Sequence, residues 1–191
     1  MLAWGLERAS LVGIEAQDVS VALARRSIAF NGVEGRCHVL HGDLRVEAAK
    51  LEAGGFELVT GTPPYIPIGS GLVSTKAQRG PCCFETRGGI EDYARAAAPL
   101  LARGGRFVAC YGAQPESRGE EAARAAGLGV LRRIDVIPRD GKPTLLRVLV
   151  AARAEEVGDT PLRIERFLVR DARGAIPPEM QTARERMGLP P

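Results

Sequence analysis

Aromatic residues make up only 5% of the 191 residues, with one tryptophan, and histidine occurs twice. The four cysteines, Cys37, Cys82, Cys83 and Cys110, show no CxxC spacing. The adjacent pair Cys82 and Cys83 is a poor disulfide framework, so reduced thiols are expected. The stretch CHVLH brings Cys37, His38 and His41 close together, but alternation along a strand sends the two histidines to opposite faces, and no metal is expected. No run approaches the ~18 consecutive apolar residues of a membrane span, and the opening MLAWGLERAS lacks the segments of a secretion signal. A soluble, intracellular, cytoplasmic protein with no membrane partner is the expectation. Neither charge sign is in excess: 26 basic against 23 acidic residues leave +3, which permits a nucleic-acid partner without establishing one.

What is present is a chain at 45% hydrophobic and 26% charged, long enough for one α/β domain with an appendage. SLVGIE is a short apolar run that ends in an acid. It leads into QDVSVALARRSIAFNG, where Val19, Ala22, Leu23 and Phe30 keep a helical stripe, Asp18 can cap the start and Asn31-Gly32 closes the end. RCHVLHGD and FELVTG read as a second and third strand. GGIEDYARAAAPLLARGG restores a helix with a stripe of Ile90, Tyr93, Ala97 and Leu101, acids Glu91 and Asp92 in its first turn and Gly104 at its end. RFVACY follows as a strand, and a helix is predicted near Pro115 to Ala126. VLRRIDVIP and TLLRVLVAAR, joined by RDGKP, form an antiparallel hairpin. Strands alternating with helices predict a mostly parallel sheet covered on both sides, over residues 1–154. Residues 155–191 are a Pro- and Arg-rich extension with at most one short strand. Its Arg163, Arg166, Arg170 and Arg173 either touch phosphates or form a solvated charged surface.

Three polar features fall just past strand ends, where ligands of open α/β sheets sit. Glu15 is placed to accept the two hydroxyls of a ribose; an acid there also serves to cap the following helix. Asp43 can accept from an adenine amino group or cap a turn through its own backbone. The third is Thr62-Pro63-Pro64-Tyr65. Both proline rings fix φ and bias the residue before them to extended geometry, so the loop is stiff before any ligand arrives. A stiff ledge of acceptors with the flat ring of Tyr65 suits a planar group carrying an amine, whereas Pro-Pro elsewhere serves as a plain spacer. The following IGSGLVSTKAQRGPCCFETRGG carries Lys76, Arg79 and Arg87, either holding nucleic-acid phosphates or forming a lid with ordinary surface charge.

In their order and spacing, these features, with VGIEAQDVSVALARRSIAFNG, VLHGDLR, FELVTGTPPY, GGIEDYARAAAPLLARGGRFVACY and FLVRDARGAIPPE, resemble the class I S-adenosylmethionine-dependent methyltransferases. Within them the blocks look like the bacterial tRNA adenine methyltransferase group with an Asn-Pro-Pro-Tyr signature. The resemblance implies a Rossmann-like sheet and S-adenosyl-L-methionine as cofactor, with Glu15 on its ribose and Asp43 near its adenine. It further implies that Thr62, Pro63, Pro64 and Tyr65 grip the base to be methylated, with RNA, above all tRNA, as partner. In that signature the Asn oxygen and the first proline's carbonyl accept the amine's two hydrogens, and the Tyr stacks on the flipped base.

The chain departs from the pattern twice. The Asn position is Thr62, a shorter group that is also a donor, which opens other acceptors: a protein or DNA nitrogen, or no reaction at all in a silent RNA- or partner-binding module. The family's opening strand and glycine-rich loop have no counterpart, since Gly69-Ser70-Gly71 and Gly127-Leu128-Gly129 follow no suitable strand. That strand would lie between those of Glu15 and Thr60, so two apolar strands are expected to lack a ladder partner and the cofactor to bind weakly or not at all. A dinucleotide-dependent oxidoreductase would also use Glu15, but leaves Thr62 to Tyr65 without a role.

Overall fold

The structure is a computed structural model that describes residues 2–69 and 79–189, the side chains of Arg79 and Pro81 excepted. Contacts group the chain into two compact units, Met1–Leu51 and Glu52–Pro191. Each has its own sheet.

In the first unit, a one-turn helix α1 (Leu2–Gly5) precedes β1 (Leu11–Glu15), α2 (Asp18–Phe30), β2 (Cys37–His41) and α3 (Leu44–Glu47). β1 and β2 pair in parallel, from Leu11 opposite Cys37 to Glu15 opposite His41. Residues Val12 and Ile14 alternate with Leu11 and Gly13 across the pleat, as a strand's period of two requires. Helix α2 turns Val21 inward, 4% exposed, with Ala24 and Ile28 half-buried on the same side. This corrects the expected stripe: Val19, Leu23 and Phe30 lie about half a turn away at 3.6 residues per turn, and Phe30 is 91% exposed. The helix is apolar on two sides, and periodicity cannot say which one a narrow two-stranded sheet covers. Asp18 is likewise not the cap. Gln17 holds that position without a side-chain cap, and Asp18 as first helical residue sits 3.1 Å from His41 Nε2. The closing Asn31-Gly32 is as expected, with Gly32 at φ 63°, a conformation that only glycine adopts freely.

The second unit runs β3 (Phe56–Gly61), α4 (Arg79–Cys83), α5 (Ile90–Leu100), β4 (Leu101–Gly112), α6 (Arg118–Ala125), β5 (Leu128–Ile137), β6 (Leu146–Arg153), α7 (Ala154–Val157), β7 (Arg163–Leu168) and α8 (Pro178–Arg186). Its five strands lie in the order β3-β4-β6-β5-β7, with only β6 antiparallel to its neighbours. The predicted hairpin is β5–β6, and the one strand of the extension, β7, adds to the far edge beside β5. β3 occupies the other edge, and among the described residues β1 pairs with β2 alone.

Phe107, Ala109 and Tyr111 point inward from alternate positions of β4, meeting Leu149 and Ala151 of β6, Ile90, Ala94 and Ala97 of α5, and Ala122 and Ala123 of α6. Small residues on both helices let them lie close to the sheet, where burial contributes about 25 cal/mol per Å² of apolar surface. Leu101 is buried there too, but as the first residue of β4 and not the last of the helical stripe: it is extended (φ −65°, ψ 127°) and pairs with Phe56. Pairing across the sheet overrides the helical pattern at that point. Helix α6 starts at Arg118, since Pro115 to Ser117 form a turn closed by the Arg118 N–H on the Pro115 carbonyl.

Because β3 and β4 are parallel and β6 is antiparallel to both β4 and β5, the ends of β3, β4, β5 and β7 share one edge of the sheet. Gly61 is opposite Ala109, Gly112 and Val136 are both opposite Leu146, and Ile137 is opposite Leu168. That carboxyl edge carries the segment from Thr62 to Tyr65.

Candidate active site

The ledge begins where β3 stops. Gly61 is its last residue, and a glycine is needed there because a Cβ would lie 2.4 Å from Cδ1 of Tyr93 on α5, closer than packed carbons approach. Thr62 follows, exposed, and its hydroxyl has no hydrogen-bond partner among the described residues. Pro63 is fully buried and anchors the turn in the core, whereas Pro64 is half-buried. No donor among the described residues reaches the Pro63 carbonyl, and neither proline has an N–H to compete for a ligand's acceptors.

Tyr65 lies on the end of β4. A Cβ built on Gly112 would come 3.3 Å from the Tyr65 Cβ and 3.5 Å from its carbonyl oxygen, so the absence of a side chain lets the tyrosine settle there. Burial first, and then the neighbouring Cys110 thiol, push the Tyr65 phenol up to about 12. It is therefore neutral at physiological pH and acts as a flat, hydrogen-bonding ring, not as a base. Burial also pushes the Cys110 thiol up, which keeps it a thiol.

Immediately after Tyr65 the chain leaves and returns. The Ile66 N–H donates to the Cys83 carbonyl and the Glu85 N–H to the Ile66 carbonyl, closing the excursion at a parallel bridge between Ile66 and the buried Phe84. Arg118, at the start of α6, fastens that base. Its Nη1 and Nη2 donate to Glu85 Oε1 and Oε2 at 2.7 and 2.9 Å, and its Nε and Nη2 to Glu91 Oε1 and Oε2 at 2.7 and 2.9 Å. Two forked contacts of this kind fix position as well as charge. The Arg118 hydrogen bonds hold the Glu91 carboxyl below its ordinary range, and the guanidinium's own affinity for its proton rises in return. Gly89 leaves room for the cluster: a Cβ there would lie 2.6 Å from Arg118 Nη2. The sequence marks Glu91 only as a first-turn acid; nothing in it singles out Arg118, Glu85, Cys110 or Gly112.

A second buried group braces the same edge. Arg147, at the start of β6, donates from Nε to Asp135 at 2.9 Å and from Nη1 to the carbonyls of Ala113 and Glu116. Arg133 of β5 reaches Glu120 of α6 at 2.9 Å. The loop after β4 is thereby tied to the β5–β6 hairpin.

In the first unit, Glu15 stands at the end of β1, half-buried, and its Oε1 accepts the Gln17 N–H at 2.8 Å. Its second oxygen accepts no hydrogen bond among the described residues. Asp43 caps α3 by accepting the Arg45 N–H at 2.9 Å, and holds the Arg45 guanidinium through Nε and Nη2 at 2.9 and 2.6 Å. Both of its oxygens are engaged, the arrangement of a helix cap. Of the three loop cations, Lys76 lies outside the described residues, Arg79 is described only as backbone in α4, and Arg87 is exposed beyond the returning segment. Among the described residues no group of histidine, cysteine and acidic side chains is placed to hold a metal, and no helix is long and apolar enough to cross a membrane.

No family model matches the chain, and no curated protein does. Solved structures do. One is described as a predicted O-methyltransferase from Agrobacterium tumefaciens, with a TM-score of 0.64 at 20% identity over 97% of this chain and 81% of that one. Another is geranyl diphosphate methyltransferase in complex with SAM, with a TM-score of 0.54 at 11% identity over 77% of this chain and 71% of that one. The fold is therefore the α/β, Rossmann-like fold of the class I methyltransferases, mostly parallel with one antiparallel strand closing through a hairpin.

Proposed function

We propose that the chain is an S-adenosylmethionine-dependent methyltransferase acting on an exocyclic amine, with adenine in structured RNA, above all tRNA, as the acceptor. The observation that carries this is the ledge: an exposed, unpartnered Thr62 hydroxyl and a neutral Tyr65 ring beside the buried, unpartnered Pro63 carbonyl, all fixed at the carboxyl edge of the sheet. An amine with two hydrogens offers one donor to Thr62 at once and the other to Pro63 as the side chains covering that carbonyl make way for the base. Accepting both draws the nitrogen lone pair out of conjugation with the ring and toward the incoming methyl. Tyr65 holds the base plane by stacking, worth about 1–3 kcal/mol per base.

S-adenosylmethionine supplies a methyl already activated on a sulfonium, so the protein has mainly to bring nitrogen and methyl into line. The nitrogen forms its bond to the methyl carbon as the sulfur–carbon bond breaks, and the surplus proton passes to water. No strong base is required, in agreement with a tyrosine kept protonated. Among the residues present, Glu15 fits the cofactor: its uncommitted carboxylate oxygen can accept from a ribose hydroxyl. Asp43 fits less well, since meeting an adenine amine would require Arg45 to swing away.

Transfer of a tritiated methyl from labelled cofactor, with bulk unmodified tRNA and total cell protein as separate acceptors, tests the proposal. Label in N6-methyladenine after nuclease digestion is the expected result. Label confined to protein, or to an oxygen of any acceptor, overturns it.

A further inference from the structure

The hairpin turn between β5 and β6 and the segment after β7 frame an open cavity of about 510 Å³ that the ledge does not use. Pro138, Pro143 and Leu145 form its apolar wall, and Arg139, Lys142 and Arg170 stand around it. The three cations come from two separate segments that backbone hydrogen bonds hold together, the Val169 N–H on the Ile137 carbonyl and the Asp140 N–H on the Arg170 carbonyl. Arg170 is further steadied by a 2.8 Å bond from Nη1 to the Gly174 carbonyl. Among the described residues no carboxylate forms an ion pair with Arg139, Lys142 or Arg170, and all three are exposed. The nearest acids in sequence each accept one backbone N–H, Asp140 that of Gly141 and Asp171 that of Ala175, and neither forms an ion pair with the three cations. Elsewhere in this unit Arg118, Arg132, Arg133, Arg147 and Arg163 each pair with at least one acid, whereas Arg103, Arg124 and Arg166 form no ion pair among the described residues; what sets Arg139, Lys142 and Arg170 apart is that they surround one apolar wall. Three unpaired cations around an apolar wall are the complement of a sugar–phosphate backbone, whose phosphates need charge and whose sugars offer carbon surface.

Its place in the sheet gives the cavity a use. It lies on the same carboxyl edge as Thr62 to Tyr65, because Ile137, Leu146 and Leu168 end or begin their strands there beside Gly112 and Gly61. From β3 to β5 there are three strand steps in the order β3-β4-β6-β5, about 14 Å at the usual spacing. A stacked nucleic-acid strand covers that distance in about four nucleotides at 3.4 Å each.

We propose that the cavity framed by Arg139, Lys142 and Arg170 is a second, phosphate-binding subsite, which holds the RNA backbone about four nucleotides from the base presented at the Thr62–Tyr65 ledge. The subsite deepens the proposed function and rests on it only for the identity of the nucleic acid. It accounts for how a ledge with two acceptors and one ring takes a base from a polyanion: the backbone is gripped elsewhere, and the ledge has only to receive what is flipped out.

The test is equilibrium binding of a fluorescein-labelled RNA stem-loop, followed by anisotropy between about 50 and 200 mM salt. In the triple variant Arg139→Gln, Lys142→Gln, Arg170→Gln, the slope of log affinity against log salt should fall by about 2–3, and binding at about 100 mM salt should weaken at least about tenfold. A double variant, Arg139→Glu with Lys142→Glu, leaves the Arg170 bond to Gly174 in place and should show a loss at least as large, so a fold defect in the triple variant would not carry the result. Arg103→Gln with Arg124→Gln, exposed cations away from the cavity, should leave the slope nearly unchanged. An unaltered slope in the cavity variants, or an equal drop in the control, overturns the subsite and leaves the ledge standing. A lowered slope together with methyl label that never enters RNA upholds the subsite and overturns the ledge's assignment. No measurable RNA binding by the unaltered chain overturns both.

Discussion

Tyr65 is seated on Gly112: a side-chain carbon at position 112 would stand 3.3 Å from the Tyr65 Cβ, tighter than ordinary packing allows. Gly112→Ala should therefore shift the ring by a few tenths of an ångström while leaving β4 paired with β6. The expected outcome is a rise in the acceptor KM with stability within about 1 kcal/mol of the parent. Unchanged kinetics would mean that the ring position does not matter for binding.

Tyr65 itself separates stacking from acid–base work. Tyr65→Phe keeps the ring and should retain most transfer, whereas Tyr65→Ala should cost about 1–3 kcal/mol, or roughly ten- to hundredfold in acceptor affinity. The phenol of Tyr65, raised to about 12, should ionise later than an ordinary tyrosine near 10. The folded form binds that proton more tightly, so its share of stability is whole below about pH 10 and is lost as pH rises toward 12. The tyrosinate absorbance lost in Tyr65→Phe reads this directly.

Thr62 offers one short acceptor where an amide would reach further. Thr62→Asn should raise adenine methylation about tenfold, the worth of one well-placed hydrogen bond. Lost activity would instead mark the threonine as the group that selects a different acceptor. The ratio of labelled N6-methyladenine between the two proteins is the measurement.

Arg118 clamps Glu85 and Glu91 at the base of the excursion after Tyr65. Arg118→Met should cost about 2–3 kcal/mol, below the full value of a buried pair because Glu91 is partly exposed. The Glu91 carboxyl is held below its ordinary value, so its contribution is complete above about pH 4.3 and disappears as pH falls through the lowered folded value. Urea denaturation at about pH 7 and about pH 3.5 should show a smaller acid-dependent loss in Arg118→Met and in Glu91→Gln than in the parent. Equal losses in all three would remove the clamp as the cause.

Gly119 at the start of α6 faces the buried Tyr111, and a Cβ there would fall 2.1 Å from Cζ of that ring. Gly119→Ala should destabilise by about 1–3 kcal/mol through overpacking, even though alanine favours a helix. A gain in thermal midpoint would show that the ring yields at no cost.

The rigid turn was legible in the chain itself, because a proline's fixed φ and missing N–H are properties of the residue and need no partner. The same holds for the bounds of β3, for the glycine that closes α2, and for the hairpin at Arg139 to Pro143, all local signals that the fold did not override. What surrounds the ledge was not legible. Arg118 reaches acids 27 and 33 positions earlier, and Cys110 and Gly112 meet Tyr65 only because β4 lies beside β3. Which side of α2 is covered, whether Leu101 is helical or extended, and that Arg170 joins Arg139 and Lys142 across a cavity were decided in the same way. Sequence sets the stiffness, charge and hydrogen-bonding capacity of each residue. Strand order and register decide which residues, far apart along the chain, share one edge, since backbone pairing in a sheet rewards contacts that local propensity cannot encode.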